Sequence, residues 1–176
     1  RVRDLLDKNV SPEVAAQLLR DGATLGGQER EVTILFADLR GFTTLSEQLS
    51  PRELLTLLNR YLDRMSTAIE AQGGVIDKFI GDAIMALFGA PVALGDAADR
   101  AVAAALAMER ALAEFNAELA AEGRPPFGIG IGINTARVVA GNIGSHRRLN
   151  YSVIGDGVNV AARLESLTRK QEYRTN

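Results

Sequence analysis

Two aspartates at the ends of apolar segments are the residues of this sequence best suited to chemistry. Asp38 closes the strand-like run 32–37, and Asp82 lies in a Gly-Asp turn between two further apolar segments, 75–79 and 83–88. A carboxylate at the end of a buried strand is costly unless a positive charge neutralises it, and a divalent cation does so with oxygen ligands. We therefore expect the two aspartates to form a metal site of the kind that assists phosphoryl chemistry.

Composition is typical of a packed globular domain. The sequence has 176 residues, of which 47% are hydrophobic and 24% charged, enough for one domain with a full core. The net charge of −2 does not favour a nucleic-acid binder, and the absence of cysteine excludes disulfides and thiol catalysis. No apolar stretch is long enough to cross a bilayer and no signal-peptide pattern opens the sequence, so we expect a cytoplasmic domain, cut from a longer protein.

The N-terminal residues 1–28 are predicted to form a helical segment separate from the main domain, 29–176. Residues 1–9 are charged and amphipathic, and Ser11 followed by Pro12 has the pattern of a helix start. We interpret this segment as a coupling element that joins an upstream sensor domain to the main domain. A helix that simply packs on the main domain is an equally good interpretation.

Helix and turn signals divide the first half of the main domain into elements. Capping-box spacings at Thr44 and at Ser50 predict two helix starts, and a β-hairpin is predicted around 80–82. Asp96 is expected to cap a long helix. The apolar face predicted for that helix consists of Val102, Leu106, Leu112, Phe115 and Leu119.

Strands dominate the second half. Residues 127–134 alternate between isoleucine and glycine, which predicts a strand whose glycine face allows close packing or close approach of a ligand, packing being favoured. Strands at 138–143 and 151–154 and a helix at 158–167 follow. The order β-α-α-β-β-α-β-β-α predicts an α+β fold, with helices on one side of a mainly antiparallel sheet.

Three motifs, in this order and at this separation, resemble the catalytic domain of class III nucleotidyl cyclases, the adenylate and guanylate cyclase family. They are Phe-Ala-Asp-Leu-Arg-Gly-Phe-Thr at 36–43, Asp-Lys-Phe-Ile-Gly-Asp at 77–82 and Tyr-Ser-Val-Ile-Gly-Asp-Gly-Val-Asn-Val-Ala-Ala-Arg at 151–163. The resemblance runs from about residue 30 to residue 167 and is greatest to bacterial adenylate cyclases. It implies a ferredoxin-like α+β domain that pairs head to tail in a homodimer, with each active site shared between two protomers.

The resemblance also implies a role for individual residues. Asp38 and Asp82, helped by the carbonyl of Leu39, would bind two Mg²⁺ or Mn²⁺ ions in each active site. The partner protomer would contribute the remaining four residues to that site. These are Lys78 and Ser152 at the purine edge, Asn159 at the ribose and Arg163 at the α-phosphate.

The implied reaction converts ATP to 3′,5′-cyclic AMP and pyrophosphate by in-line attack of the 3′-hydroxyl on the α-phosphorus. Two divalent ions suit this step, because one acidifies the hydroxyl and the other shields the leaving group. Backbone N–H groups at the helix start formed by Gly41, Phe42 and Thr43 are expected to bind the β- and γ-phosphates. Asn159 and Arg163 are four residues apart, so they share one helix face, and a guanidinium there can stabilise charge on the α-phosphoryl oxygens.

The choice of base depends on Lys78. An ammonium only donates, so it suits the N1 acceptor of adenine and opposes the N1–H donor of guanine, whereas guanylate cyclases generally carry an acidic residue here. Ser152 departs from the Asp or Thr common in adenylate cyclases. Its hydroxyl can accept from adenine N6–H, but it can also donate to guanine O6.

Two other departures and three alternatives stay open. Ala136 replaces a glycine usual in the family. Family domains continue with further strands that carry a lysine contacting the triphosphate, and we expect this lysine to be missing here unless Lys170 substitutes for it. The arm 145–149, which contains the single histidine, His146, is expected either to reach across the dimer or to be an exposed basic hairpin.

The alternatives are a guanylate cyclase, a non-catalytic cyclase-like module and a diguanylate cyclase. The last is disfavoured because the hairpin reads Phe-Ile-Gly-Asp-Ala.

Overall fold

The computed structural model of the chain describes residues 10–21, 25–145 and 147–170. The helices and strands within these ranges, in chain order, are α1 (Pro12–Asp21), β1 (Gly26–Arg40), α2 (Phe42–Ser46), α3 (Pro51–Glu70), β2 (Val75–Ile80), β3 (Ala83–Phe88), α4 (Ala97–Ala121), β4 (Gly128–Ser145), β5 (Arg148–Ile154) and α5 (Asp156–Leu167). His146 and the amphipathic start of the predicted N-terminal segment, 1–9, lie outside the described residues.

The five strands form one antiparallel sheet in the order β2-β3-β1-β4-β5. The α+β fold with a mainly antiparallel sheet is therefore confirmed. The predicted strands 127–134 and 138–143 are a single strand, because residues 135–137 keep their pairing with 31–33 of β1. The first residues of β1, 26–28, had been assigned to the helical N-terminal segment, but they pair with β4 and belong to the sheet.

The sheet separates two apolar cores. On one face, α3 and α4 cover alternate strand residues such as Leu35 and Ile84. On the opposite face, α5 covers a smaller cluster that includes Ile34, Val153 and Ala161. The expectation that the helices lie on one side of the sheet is therefore wrong, since α5 packs on the other face.

Helix starts agree only partly with the predictions. The capping box at Ser50 is confirmed, because the Glu53 N–H donates to Ser50 Oγ at 3.3 Å and the Ser50 N–H donates to Glu53 Oε2 at 3.0 Å. The capping box predicted at Thr44 is wrong, because α2 already begins at Phe42, after Gly41. Asp96 precedes α4, but its carboxylate accepts from Arg100 Nε at 2.7 Å instead of capping a backbone N–H.

The apolar face of α4 is rotated from its predicted position. Val102 and Leu106 are 51% and 52% exposed, while Ala101, Ala104 and Met108 face the core with the C-terminal apolar residues of the helix. Small alanines let the first turns of the helix lie close to the sheet, so the larger side chains point outward. Among the described residues, no helix combines the length and the apolar character needed to cross a membrane.

The glycine face of β4 allows α5 to approach the sheet closely. A Cβ at Gly132 would clash with the backbone of Ala161 and Glu165, and one at Gly130 would clash with the side chains of Arg40 and Thr168. The packing explanation for the isoleucine–glycine alternation is therefore supported.

We predict that Gly132→Ala destabilises the fold by about 1–3 kcal/mol or more, because the added methyl group meets helix backbone that cannot move aside. The matched control is Gly128→Ala on the same strand face, where the nearest neighbour of the new Cβ would be Arg40 Cβ at 3.3 Å, with no helix backbone nearby. Urea unfolding measures both variants. Equal stability of the two would contradict the packing role of Gly132.

Candidate active site

The two predicted metal ligands lie side by side at one end of the sheet. Asp38 in β1 is paired with Ala83, the first residue of β3, and Asp82 directly precedes that residue in the turn from β2. Burial, followed by the negative charge of Asp38, raises the pKa of Asp82 above its ordinary value. Two carboxylates close enough to repel each other bind a shared cation more favourably than either would alone.

Two guanidinium groups contact Asp38. Arg40 Nη1 donates to Asp38 Oδ2 at 3.0 Å and Arg169 Nη2 donates to the same oxygen at 2.6 Å. The Asp38 side chain is only 14% exposed, so these contacts offset much of the cost of keeping its charge away from water. Both guanidinium groups show that this carboxylate attracts cations.

Arg40 also ties the acidic pair to the end of α5. Its Nη2 donates to Glu165 Oε1 at 2.5 Å and to Thr168 Oγ1 at 2.9 Å. Burial raises the pKa of Glu165, and the charge of Arg40 opposes that shift. The guanidinium passes over Gly130, where a side chain would collide with it.

A buried hydroxyl lies near the acidic pair. Tyr61 in α3 is fully buried, and within the described part of the chain its hydroxyl has no hydrogen-bond partner. Burial, followed by the charges of Asp82 and Asp38, raises the pKa of Tyr61. A buried polar group without a partner is rare in native proteins, and here it is next to a predicted ion site.

The donor set fits Mg²⁺ or Mn²⁺. It offers two carboxylates and the adjacent Leu39 backbone, all hard oxygen donors, and no histidine or cysteine. Within the described ranges, no cluster of three or more histidine, cysteine, aspartate or glutamate side chains could hold a metal. A nucleotide's phosphates would have to complete the coordination, as hard divalent ions commonly require.

The predicted phosphate-binding turn has the expected position but is short. Gly41 has a φ of 86°, a left-handed conformation that glycine adopts without strain, and α2 follows with five residues. The Phe42 ring packs against Phe127 with ring centroids 6.5 Å apart, and Thr43 is exposed. The phosphate contact predicted for this turn therefore depends on the backbone of Gly41 and Phe42 and on the exposed Thr43.

The two predicted base-contacting residues meet through a third residue, Asp77. Ser152 Oγ on β5 donates to Asp77 Oδ2 on β2 at 2.9 Å, and Lys78 Nζ is 3.4 Å from the same oxygen. Strands β2 and β5 are the opposite edges of the sheet, so the sheet curves enough to bring the Ser152 and Asp77 side chains into contact. Lys78 is 49% exposed, whereas the Asp77 side chain is 1% exposed.

A β-bulge explains the contact between neighbours Asp77 and Lys78. The pairing of β2 with β3 shifts between Ile76 and Lys78, so the usual alternation of side chains is broken at Asp77. Burial raises the pKa of Asp77, while the hydrogen bond from Ser152 and the charge of Lys78 oppose that shift.

Asn159 and Arg163 lie on α5 and are both exposed. Neither makes a hydrogen bond or ion pair with another described residue, and the fold does not bring either to the acidic pair of its own chain. The structure thus forms two groups: the acidic pair with its arginines, and the Asp77, Lys78 and Ser152 cluster. No hydrogen bond or ion pair joins these two groups within the described ranges.

Several contributors to the site were assigned no role from the sequence, among them Asp77, Arg40 and Glu165. Arg40 follows Asp38 by two residues and so shares its strand face, a signal that the sequence does contain. Asp77 is also a carboxylate inside an apolar run, so burying it without a neutralising partner would be costly, as it would be for Asp38. Glu165 gives no such signal, since its burial depends on how closely α5 packs on β4.

Comparisons with known proteins agree with this geometry. The family model described as the adenylate and guanylate cyclase catalytic domain matches residues 27–174. An adenylate cyclase of Anabaena cylindrica is 46% identical over 145 residues, which cover 80% of this chain but 28% of that protein. The chain thus spans less than a third of that relative's length.

Two solved structures share the fold. The guanylyl cyclase Cya2 is 49% identical with a TM-score of 0.76, over 81% of this chain and 72% of that one. The adenylyl cyclase CyaB from P. aeruginosa is 42% identical with a TM-score of 0.77, over 81% of this chain and 74% of that one. The sheet topology, the adjacent aspartates and these matches lead to one conclusion: the chain belongs to the adenylate and guanylate cyclase catalytic domain family.

Proposed function

We propose that the chain is an adenylate cyclase domain that converts ATP to 3′,5′-cyclic AMP and pyrophosphate at sites shared across a homodimer. The adjacent pair Asp38 and Asp82 supports nucleotide cyclisation, since it offers the oxygen ligands for Mg²⁺ or Mn²⁺. The choice of ATP depends on one observation, the exposed ammonium of Lys78 beside the Ser152 hydroxyl.

The chain's own groups have distinct tasks in this reaction. Asp38 and Asp82 would hold two divalent ions, which when bound would supply Lewis-acid activation of the 3′-hydroxyl and charge neutralisation of the phosphates. Gly41, Phe42 and Thr43 contact the β- and γ-phosphates through backbone N–H groups. Bond formation between O3′ and the α-phosphorus releases pyrophosphate, and the hydroxyl proton passes to solvent.

Charge develops on the α-phosphoryl oxygens during the reaction, and Arg163 stabilises it. A guanidinium binds phosphoryl oxygens in a bidentate way that an ammonium does not match. Asn159, one turn earlier on α5, orients the ribose. Both side chains are exposed and have no partner among the described residues, so they are available to a nucleotide held by the acidic pair of a partner chain.

Sharing of the site is supported by the separation of the two groups within one chain. Lys78 and Ser152 contact Asp77, not Asp38 or Asp82, so a single chain presents the base-contacting group and the metal-binding group apart. Large apolar side chains are also exposed next to these groups, as expected of a surface that a partner covers. They are Phe79 and Ile80 at the hairpin and Ile154 at the end of β5.

A guanylate cyclase is the second candidate. The Ser152 hydroxyl is able to donate to guanine O6, and Cya2, a guanylyl cyclase, is 49% identical to this chain. We favour ATP because an ammonium at position 78 opposes the N1–H of guanine. The Lys78 donor would be buried once a nucleotide and the partner cover it, and a buried donor that faces no acceptor on the base costs about 1–3 kcal/mol.

We predict that the purified domain with Mn²⁺ turns over ATP with a kcat/KM about 5- to 150-fold above that for GTP, as the cost of an unpaired donor implies. Chromatography separates cyclic AMP, cyclic GMP and pyrophosphate. Predominant cyclic GMP would contradict the argument from Lys78 and favour the second candidate.

We predict that Asp38→Asn and Asp82→Asn each lower kcat by more than about 100-fold, since each removes a charge that neutralises cations at the phosphates. The control is Asp99→Ala, an exposed carboxylate in the first turn of α4 that should leave activity unchanged. Either asparagine variant with near-wild-type turnover would refute the metal-binding role of that residue.

We predict that Asp38→Ala and Lys78→Ala are each inactive alone but recover activity when refolded together. Half of randomly assorted dimers would be heterodimers with one intact site of two, so recovery should reach about one quarter of the wild-type rate. Mixing two samples of the same variant is the control. If the mixed variants stayed inactive, the shared-site proposal would be wrong.

A further inference from the structure

We propose that Asp77 is a specificity-determining residue, which makes the site select adenine by holding the Ser152 hydroxyl in one hydrogen-bonding polarity. This inference rests on the proposed function. Asp77 acts through Ser152 and Lys78 and does not itself contact the nucleotide, so it is a positioning residue.

Geometry fixes the direction of the hydrogen bond. Ser152 Oγ lies 2.9 Å from Asp77 Oδ2, and Lys78 Nζ lies 3.4 Å from the same oxygen. An ionised carboxylate only accepts hydrogen bonds, so the Ser152 proton must point at Asp77. Burial raises the pKa of Asp77, but the Ser152 hydrogen bond and the Lys78 ammonium both favour the ionised form.

The polarity of Ser152 toward a ligand follows from this bond. A serine hydroxyl has one proton and two lone pairs, and here the proton is already donated. Only lone pairs remain for a purine, so Ser152 accepts from adenine N6–H and repels guanine O6. The Lys78 donor and the Ser152 acceptor therefore match N1 and N6–H of adenine. They match neither N1–H nor O6 of guanine.

The free-energy cost of burying the Asp77 carboxylate argues against a purely structural role. Its side chain is almost completely buried, and an apolar residue of similar size would usually fill such a place at less cost to stability. The bulge between Ile76 and Lys78 breaks the strand alternation at this residue, and bulges of this kind often re-aim side chains next to active sites.

The test is Asp77→Asn, assayed as the ratio of kcat/KM for ATP to kcat/KM for GTP. The amide can turn its NH₂ group toward Ser152 Oγ, which frees the hydroxyl to donate to guanine O6. We expect the ratio to fall at least about fivefold, the smallest effect of one mispaired buried hydrogen bond. A purely structural role would lower turnover of both nucleotides equally and leave the ratio unchanged.

A double-mutant cycle separates the path through Ser152 from other effects. In a Ser152→Ala background, Asp77→Asn should change the ratio much less than in the wild type, because the hydroxyl it orients is gone. Ser152→Thr, which keeps the hydroxyl, should retain the wild-type ratio. If Asp77→Asn does not fold, Ser152→Ala alone should lower the ratio by a similar factor.

The outcomes separate this inference from the proposed function. A wild-type chain that prefers GTP would refute the proposed function and this inference with it. A wild-type chain that prefers ATP, with the same ratio in Asp77→Asn or in Ser152→Ala, would refute this inference alone.

Discussion

The neutralisation of buried carboxylates is the constraint on which the structure of the site depends. Asp38 is satisfied by two guanidinium groups, Asp77 by a hydroxyl and an ammonium, and Glu165 by Arg40. Three of these contacts join elements that are distant in the sequence: Arg169 with Asp38, Ser152 with Asp77, and Arg40 with Glu165. The carboxylates therefore fix where the ends of β1, β2, β5 and α5 lie, as well as what the site can bind.

Asp38 and Asp77 are both buried carboxylates that need neutralising partners, but they form two different kinds of site. Asp38 lies beside a second carboxylate, Asp82, and the negative charge of Asp38 adds to burial in raising the pKa of Asp82. Asp77 has no carboxylate partner among the residues contacting it; it accepts from Ser152 and Lys78. Asp38 is thus paired with guanidinium groups and a second carboxylate, while Asp77 organises neighbouring donors.

The fold and the acidic pair were predictable because their signals are local. Both aspartates end apolar runs, and the hairpin and the Ser50 capping box are short-range patterns. The outward rotation of Val102 and Leu106 was not predictable, since it depends on alanines that pack against the sheet. The contact of Asp77 with Ser152 depends on a bulge and on sheet curvature, which involve residues 75 positions apart.

Strand β1 is continuous over fifteen residues and carries Asp38 near its C-terminal end, while α1 ends a few residues before its first residue, Gly26. It is paired with β4 along its whole length and with β3 over its second half. Sliding such a strand by one position would turn every side chain to the wrong face. The pairing with β4 is unbroken from Gly26 to Asp38, so a continuously hydrogen-bonded strand links the segment that follows α1 to the acidic pair.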